Sequence, residues 1–134
     1  METLLISSVM HPNPHTIGHS ETLEEAKSIM SEHKIRHLPV KKAGQVIGIL
    51  SDRDIEFAMR VDKKDASEIK VEDALTEEPY HVTLDTPVSK VANTLSHMKY
   101  GSALIMENEE LKGIFTTTDA CRVLAEVLSG KLDQ

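Results

Sequence analysis

The sequence predicts an α/β (α+β) fold in which one small β-α-β-β-α unit is used twice, the two copies packed face to face about an approximate twofold axis. Three observations predict it. The chain matches itself after a shift of 65 positions, Val9–Ile55 falling over Ala74–Ala120 without a gap. Each copy carries one stretch with apolar residues at helical spacing, followed by two short apolar runs. Finally, "GILSDRDI" (Gly48–Ile55) returns as "GIFTTTDA" (Gly113–Ala120), so a strand end breaks into a hydroxyl and an acid twice over. Internal repetition takes precedence over local signals because it sets the architecture.

Each copy opens with a proline-bearing turn and a short extended piece: Pro14 with His15-Thr16-Ile17, then Pro79 with Tyr80-His81-Val82. An amphipathic helix follows, with Leu23, Ala26, Ile29 and Met30 on one face in the first copy and Val88, Val91, Leu95 and Met98 in the second. Thr22 is placed to cap the first helix, with Glu25 three residues on, and Pro87 suits the first turn of the second. Next come two strands, His37–Val40 and Val46–Leu50, around a turn with Gly44; their counterparts are Ala103–Met106 and Leu111–Phe115, around Glu107-Asn108-Glu109-Glu110. A last helix begins near Asp52 and near Thr117. The expected division is a first repeat over 1–62, a charged linker over 63–70 and a second repeat over 71–134. One unit alone leaves a face of its sheet bare, so two copies are expected to share a core.

Composition narrows the function. A formal net charge of −7 lacks the basic field that nucleic-acid binding requires. With no Trp, two Phe and two Tyr, base-stacking platforms are scarce. No apolar run approaches the roughly 20 residues of a membrane helix, and the start "METLLISSVMHPNPH" does not read as a signal peptide. The single cysteine, Cys121, excludes an internal disulfide and fits a reducing cytoplasm, the expected location.

The repeated Ser/Thr-x-x-Asp has two readings. Ser51 with Asp54, and Thr116 with Asp119, fit a helix-entry cap: the hydroxyl accepts a backbone N–H and the acid complements the positive helix end. The same corner is also a natural anion site, with a hydroxyl for a phosphate oxygen and a carboxylate for vicinal ribose hydroxyls. Gly48 and Gly113 lie where an absent side chain permits close backbone approach. Arg53 adds a cation to the first copy, either for a phosphate or for an ion pair with Asp52 or Glu56. His37 is either a ligand contact or a strand-end histidine satisfied by a backbone carbonyl.

Both copies resemble CBS (cystathionine-β-synthase) domains, and the chain as a whole resembles a stand-alone tandem pair, or Bateman module. The carriers are "VMHPNPHTIGHSETLEEAKSIMSEHKIRHLPV" running into "GILSDRDI", and "ALTEEPYHVTLDTPVSKVANTLSHMKYGSALIM" running into "GIFTTTDA". The resemblance implies a regulatory module that binds adenosyl compounds (AMP, ADP, ATP or S-adenosylmethionine) and signals by conformational or oligomeric change, with no catalytic cofactor. It implies one cleft joining Thr116 and Asp119 to Ile35, Arg36, His37 and Pro39, and another joining Ser51, Arg53 and Asp54 to Tyr100, Gly101, Ser102 and Leu104. Thr16-Ile17 and His81-Val82 would give backbone contacts to the base. The second copy departs from the pattern at Leu104, where the first has Pro39, and at Thr118, where the first has Arg53.

A metal site is not expected. His11, His15 and His19 stand four apart, but Pro12 and Pro14 break any common helix face. Nor is an enzyme expected: no nucleophile–base arrangement can be argued, and members of the resembled family catalyse through attached domains. Such pairs imply a homodimer through helices, for which Ile55, Ala58 and Met59, or Val123, Leu124 and Val127, are candidates unless they close the monomer core. The alternative reading is a ligand-free interaction protein that docks on an enzyme or transporter.

Overall fold

The computed structural model describes residues 3–131; the outer limits of the two expected repeats, at 1 and 134, lie outside them. The described elements repeat at the register read from the sequence. In chain order they are β1 (His11–Pro12), β2 (Ile17–Gly18), α1 (Leu23–His33), β3 (His37–Lys42), β4 (Gln45–Ser51) and α2 (Asp52–Asp62), then β5 (Thr76–Glu77), β6 (His81–Val82), α3 (Val88–Met98), β7 (Ser102–Glu107), β8 (Glu110–Thr116) and α4 (Thr117–Leu128). Helix α1 starts at the expected cap, with the Glu25 N–H donating to Thr22 Oγ1 at 3.3 Å. Pro87 is itself the cap residue of α3, one position before the first helical turn where it was expected. The β3–β4 and β7–β8 hairpins close through two residues at positive φ, Ala43 and Gly44 in one and Asn108 and Glu109 in the other, the backbone that matches strand twist.

The repeats of the sequence and the compact units of the fold divide the chain differently. One unit is His15–Pro79; the other joins Met1–Pro14 to Tyr80–Gln134. The segment leading each repeat therefore packs on the sheet of the other. Strand β5 pairs antiparallel with β4 in a sheet ordered β2-β3-β4-β5, and β1 pairs antiparallel with β8 in a sheet ordered β1-β8-β7-β6. Just before the prolines where the chain crosses between units, Asn13 (φ 49°) and Glu78 (φ 51°) adopt the left-handed conformation, uncommon for residues other than glycine.

The lead segments also finish the helix starts. The Val88 N–H donates to Leu4 O and the Leu23 N–H to Ile69 O, both at 2.9 Å. These acceptors satisfy N–H groups that a helix cannot pair internally. Residues 63–70, expected as a charged linker, behave as part of this device: Ala66 and Ile69 are buried with Val71 in the apolar cluster of the first unit. That cluster is built from Leu23, Ala26 and Met30 of α1, Leu38 and Val40 of β3, Leu50 of β4, and Ile55 and Ala58 of α2. The other unit has its own cluster, with Ile6 and Val9 from the lead segment around Val91, Leu95, Ile105 and Phe115. Pro39, Ile49, Leu104 and Ile114, on the opposite strand faces, are buried too. Strands buried on both faces read as continuous apolar runs, not as alternation.

Gly48 and Gly113 owe their place to this packing. A Cβ on Gly48 would stand 2.5 Å from the Thr76 carbonyl oxygen and 2.7 Å from Leu75 Cδ1; one on Gly113 would stand 2.8 Å from the His11 carbonyl oxygen and 2.5 Å from Met10 Sδ. The close approach read from the sequence is thus made by the incoming lead strand. Among the described residues no helix is long and apolar enough to cross a membrane. Gly48→Ala and Gly113→Ala are each expected to lower stability by about 1–3 kcal/mol, the usual cost of overpacking. Urea unfolding of the purified variants checks this; unchanged midpoints would mean that the lead strands dock loosely.

Candidate functional site

Each unit has one corner where a central strand ends and a helix begins. At the first, Ser51 closes β4 in extended conformation and α2 starts at Asp52. The Asp54 N–H donates to Ser51 Oγ at 3.1 Å, and the Ser51 N–H donates back to Asp54 Oδ2 at 2.9 Å. At the second, the Asp119 N–H donates to Thr116 Oγ1 at 3.3 Å and the Thr116 N–H to Asp119 Oδ2 at 2.8 Å. The helix-entry reading of both motifs is therefore realised as two reciprocal capping boxes.

The turn before β3 or β7 adjoins the corner of its own unit. The Asp52 N–H donates to Arg36 O at 3.0 Å, and the Thr117 N–H to Gly101 O at 3.1 Å. In register, His37 faces Ser51 and Ser102 faces Thr116. Each unit by itself thus groups Arg36, His37, Ser51, Arg53 and Asp54, or Gly101, Ser102, Thr116 and Asp119. Ile35 is half-buried and Arg53 exposed, and Arg53 makes no ion pair with Asp52 or Glu56 among the described residues. Ile17 of β2 pairs in parallel with Val40, one strand further from the corner; Thr16, just before it, is half-buried. His81 and Val82 pair the same way with Leu104 and Ile105. Pro39 and Leu104 are fully buried, so their side chains present no open surface. The Tyr100 ring lies 5.6 Å from that of Tyr80, whose carbonyl accepts the Leu104 N–H at 2.9 Å.

Three residues at the corners escaped the sequence reading. Thr76 of β5 places Oγ1 3.4 Å from both oxygens of Asp54. His11 of β1, its counterpart at the 65-residue shift, places Nε2 2.7 Å from Asp119 Oδ1. Arg122 stands 3.6 Å from the same oxygen and donates to Val9 O at 2.9 Å. Helical i,i+3 spacing from Asp119 was the available signal for Arg122. His11 and Thr76 had none, because their strands are two residues long and pair far along the chain.

The electrostatics of the first corner turn on His37. Burial holds its imidazole below the ordinary value of 6.5; Asp52 and Asp54 oppose this shift, while Arg36 and Arg53 reinforce it. Of the helix residues weighed as a dimer face, Ile55, Ala58 and Val123 are buried in the unit clusters and Met59 and Val127 pack against them. Leu124 is exposed, as are Phe57, Val61 and Leu128. The first three close the interior because their helix packs by that stripe. No cluster of three or more metal-ligating side chains occurs among the described residues.

The CBS domain model matches residues 6–60 and again 71–126. The chain belongs to the CBS-domain family. The CBS domain pair of protein MJ0100, solved in complex with 5′-methylthioadenosine and S-adenosyl-L-methionine, is 26% identical with a TM-score of 0.82, covering 94% of this chain and 99% of that one. AcuB from Vibrio cholerae superposes with a TM-score of 0.87 at 24% identity, covering 99% of this chain and 100% of that one, a likeness of fold. Among curated proteins, the L-aspartate semialdehyde sulfurtransferase of Methanocaldococcus jannaschii is 28% identical over 121 residues, 89% of this chain but 23% of that enzyme. The chain spans less than a quarter of the curated enzymes it matches first.

The depressed His37 fixes a sign. A histidine with a lowered value in the fold takes up its proton more readily in the unfolded chain, so its contribution is present above the ordinary value of 6.5 and is lost as pH falls through that value toward the folded one. Between about pH 7.5 and 5.5 the native chain is expected to lose more stability than His37→Gln. Urea unfolding at the two pH values decides it, and parallel losses would count against burial as the cause.

Proposed function

We propose that this chain is a regulatory module that binds an adenosyl nucleotide at its two strand-to-helix corners. The carrying observation is the pairing, at each corner, of a hydroxyl, a helix start and a carboxylate held by its cap: Ser51 with Asp54, and Thr116 with Asp119. A helix start favours phosphate or another anion, and a carboxylate oriented by its cap can accept hydrogen bonds from a vicinal ribose diol. Exposed Arg53 supplies phosphate charge at the first corner, where it has no competing ion pair among the described residues. The 26% identity to the MJ0100 pair, solved with adenosyl compounds, supports the same ligand class.

In this reading each corner holds ribose and phosphate, and Thr16-Ile17 and His81-Val82 give backbone contacts to the base. The ligand is AMP, ADP, ATP or S-adenosylmethionine, and the chain works without a catalytic cofactor. Binding favours one arrangement of repeats or subunits, and a regulated enzyme or transporter reads the change. Association as a homodimer would use the exposed apolar side chains of α2 and α4, Phe57, Val61, Leu124 and Leu128. These also suit the second reading, a ligand-free docking protein.

A thermal-shift panel tests the proposal. At 100 times its dissociation constant a ligand adds about 2.7 kcal/mol to stability. At least one of AMP, ADP, ATP and S-adenosylmethionine is expected to raise the melting temperature, and Asp54→Ala with Asp119→Ala is expected to abolish that increment. Losing the acidic half of each capping box lowers the baseline of the double variant by roughly 0.3–1 kcal/mol each, so the ligand-induced increment is the quantity to compare. No shift with any of the four compounds, confirmed by calorimetry, would favour the docking protein.

A further inference from the structure

We propose that His11 is a clasp on the second corner: it occupies the Asp119 carboxylate oxygen that a ligand diol would need, so the Asp54 corner fills first and the Asp119 corner opens only when the imidazole swings away. This rests on the adenosyl reading and adds an order of filling to it. Asp54 and Asp119 are carboxylates at equivalent positions of one chain, and they are held differently.

Both oxygens of Asp119 are committed. Oδ2 accepts the Thr116 N–H at 2.8 Å and lies 3.0 Å from Thr116 Oγ1. Oδ1 faces His11 Nε2 at 2.7 Å and Arg122 Nη2 at 3.6 Å. The Asp119 side chain is 5% exposed and that of His11 63%, so the ring covers the acid from the solvent side. Arg122 is anchored elsewhere as well, to Val9 O at 2.9 Å and to Glu126 at 3.7 Å. The exposed imidazole is therefore the piece with room to move. Asp54 is held differently. Its Oδ2 accepts the Ser51 N–H at 2.9 Å, and among the described residues the hydrogen bond it receives from the incoming strand is Thr76 Oγ1 at 3.4 Å, the outer limit of such a bond. The counterpart of Arg122 is Phe57, exposed and without charge. One oxygen of Asp54 thus remains open to a hydroxyl donor.

Because His11 belongs to β1, opening the clasp would also loosen the two-residue pairing of β1 with β8. Occupancy of the second corner would then be felt by the lead segment that carries His11.

The two residues can be exchanged. Calorimetric titration with AMP, ADP, ATP and S-adenosylmethionine is run on Asp54→Ala, which leaves the second corner, and on Asp119→Ala, which leaves the first. Asp119→Ala is expected to bind about tenfold more tightly than Asp54→Ala, the scale of one displaced charge-assisted hydrogen bond. Adding His11→Thr to Asp54→Ala should recover about tenfold, and adding Thr76→His to Asp119→Ala should lose about as much. Should His11→Thr unfold, as far-ultraviolet circular dichroism would show, Thr76→His decides alone. Equal affinities at the two corners, or no response to either exchange, would overturn the clasp while leaving the adenosyl reading intact. Binding of none of the four compounds by the native chain would overturn that reading and the clasp with it.

Discussion

The fold depends on the docking of each repeat's lead segment onto the sheet of the other. A repeat cut out at its sequence limits would lack the fourth strand of its sheet, the carbonyl that receives the first N–H of its leading helix, and part of its apolar cluster. The lead segment supplies all three. It can do so only where the receiving strand carries no Cβ, which explains why glycine stands at both Gly48 and Gly113. The two repeats are therefore interdependent, although each unit has a cluster of its own.

The same docking decides the chemistry of the corners. The motif supplies the hydroxyl and the acid, and the capping box fixes their mutual geometry. What reaches the outer oxygen of that acid depends on the strand arriving from elsewhere in the chain. It brings a weakly held threonine to Asp54 and a histidine to Asp119. Two corners that share a motif thus differ in what stands over the acid while their elements recur at a constant shift. Capping and binding are also not exclusive, because a carboxylate that satisfies backbone donors through one oxygen keeps lone pairs on the other.

Most elements were legible in the sequence because their signals are local. The apolar stripe of α1, the cap at Thr22, the turn at Gly44 and the helix starts at Asp52 and Thr117 each depend on residues within one or two turns of one another. The duplicate copy doubled the weight of every such signal. What the sequence left unread is non-local. Residues 63–70 read as a charged linker by composition, and what composition does not show is that Ala66 and Ile69 are buried in the cluster of the first unit. Strands β1 and β5, two residues each, carry no periodicity, and their partners lie far off in sequence. Of the helix positions weighed as a contact face or core, Ile55, Ala58 and Val123 are interior and Leu124 is exposed, a division that an apolar stripe alone does not settle.

By itself the sequence determined the repeat and its register, the order of helices and strands, the family and the two capped acids, since these follow from spacing and from hydrogen bonds between near neighbours. Only the tertiary structure decided which sheet each lead strand joins, why the two glycines are needed and which side chains stand over Asp54 and Asp119. Those outcomes follow from pairing and excluded volume between segments separated by scores of residues, where the chain carries no periodic signal of its own.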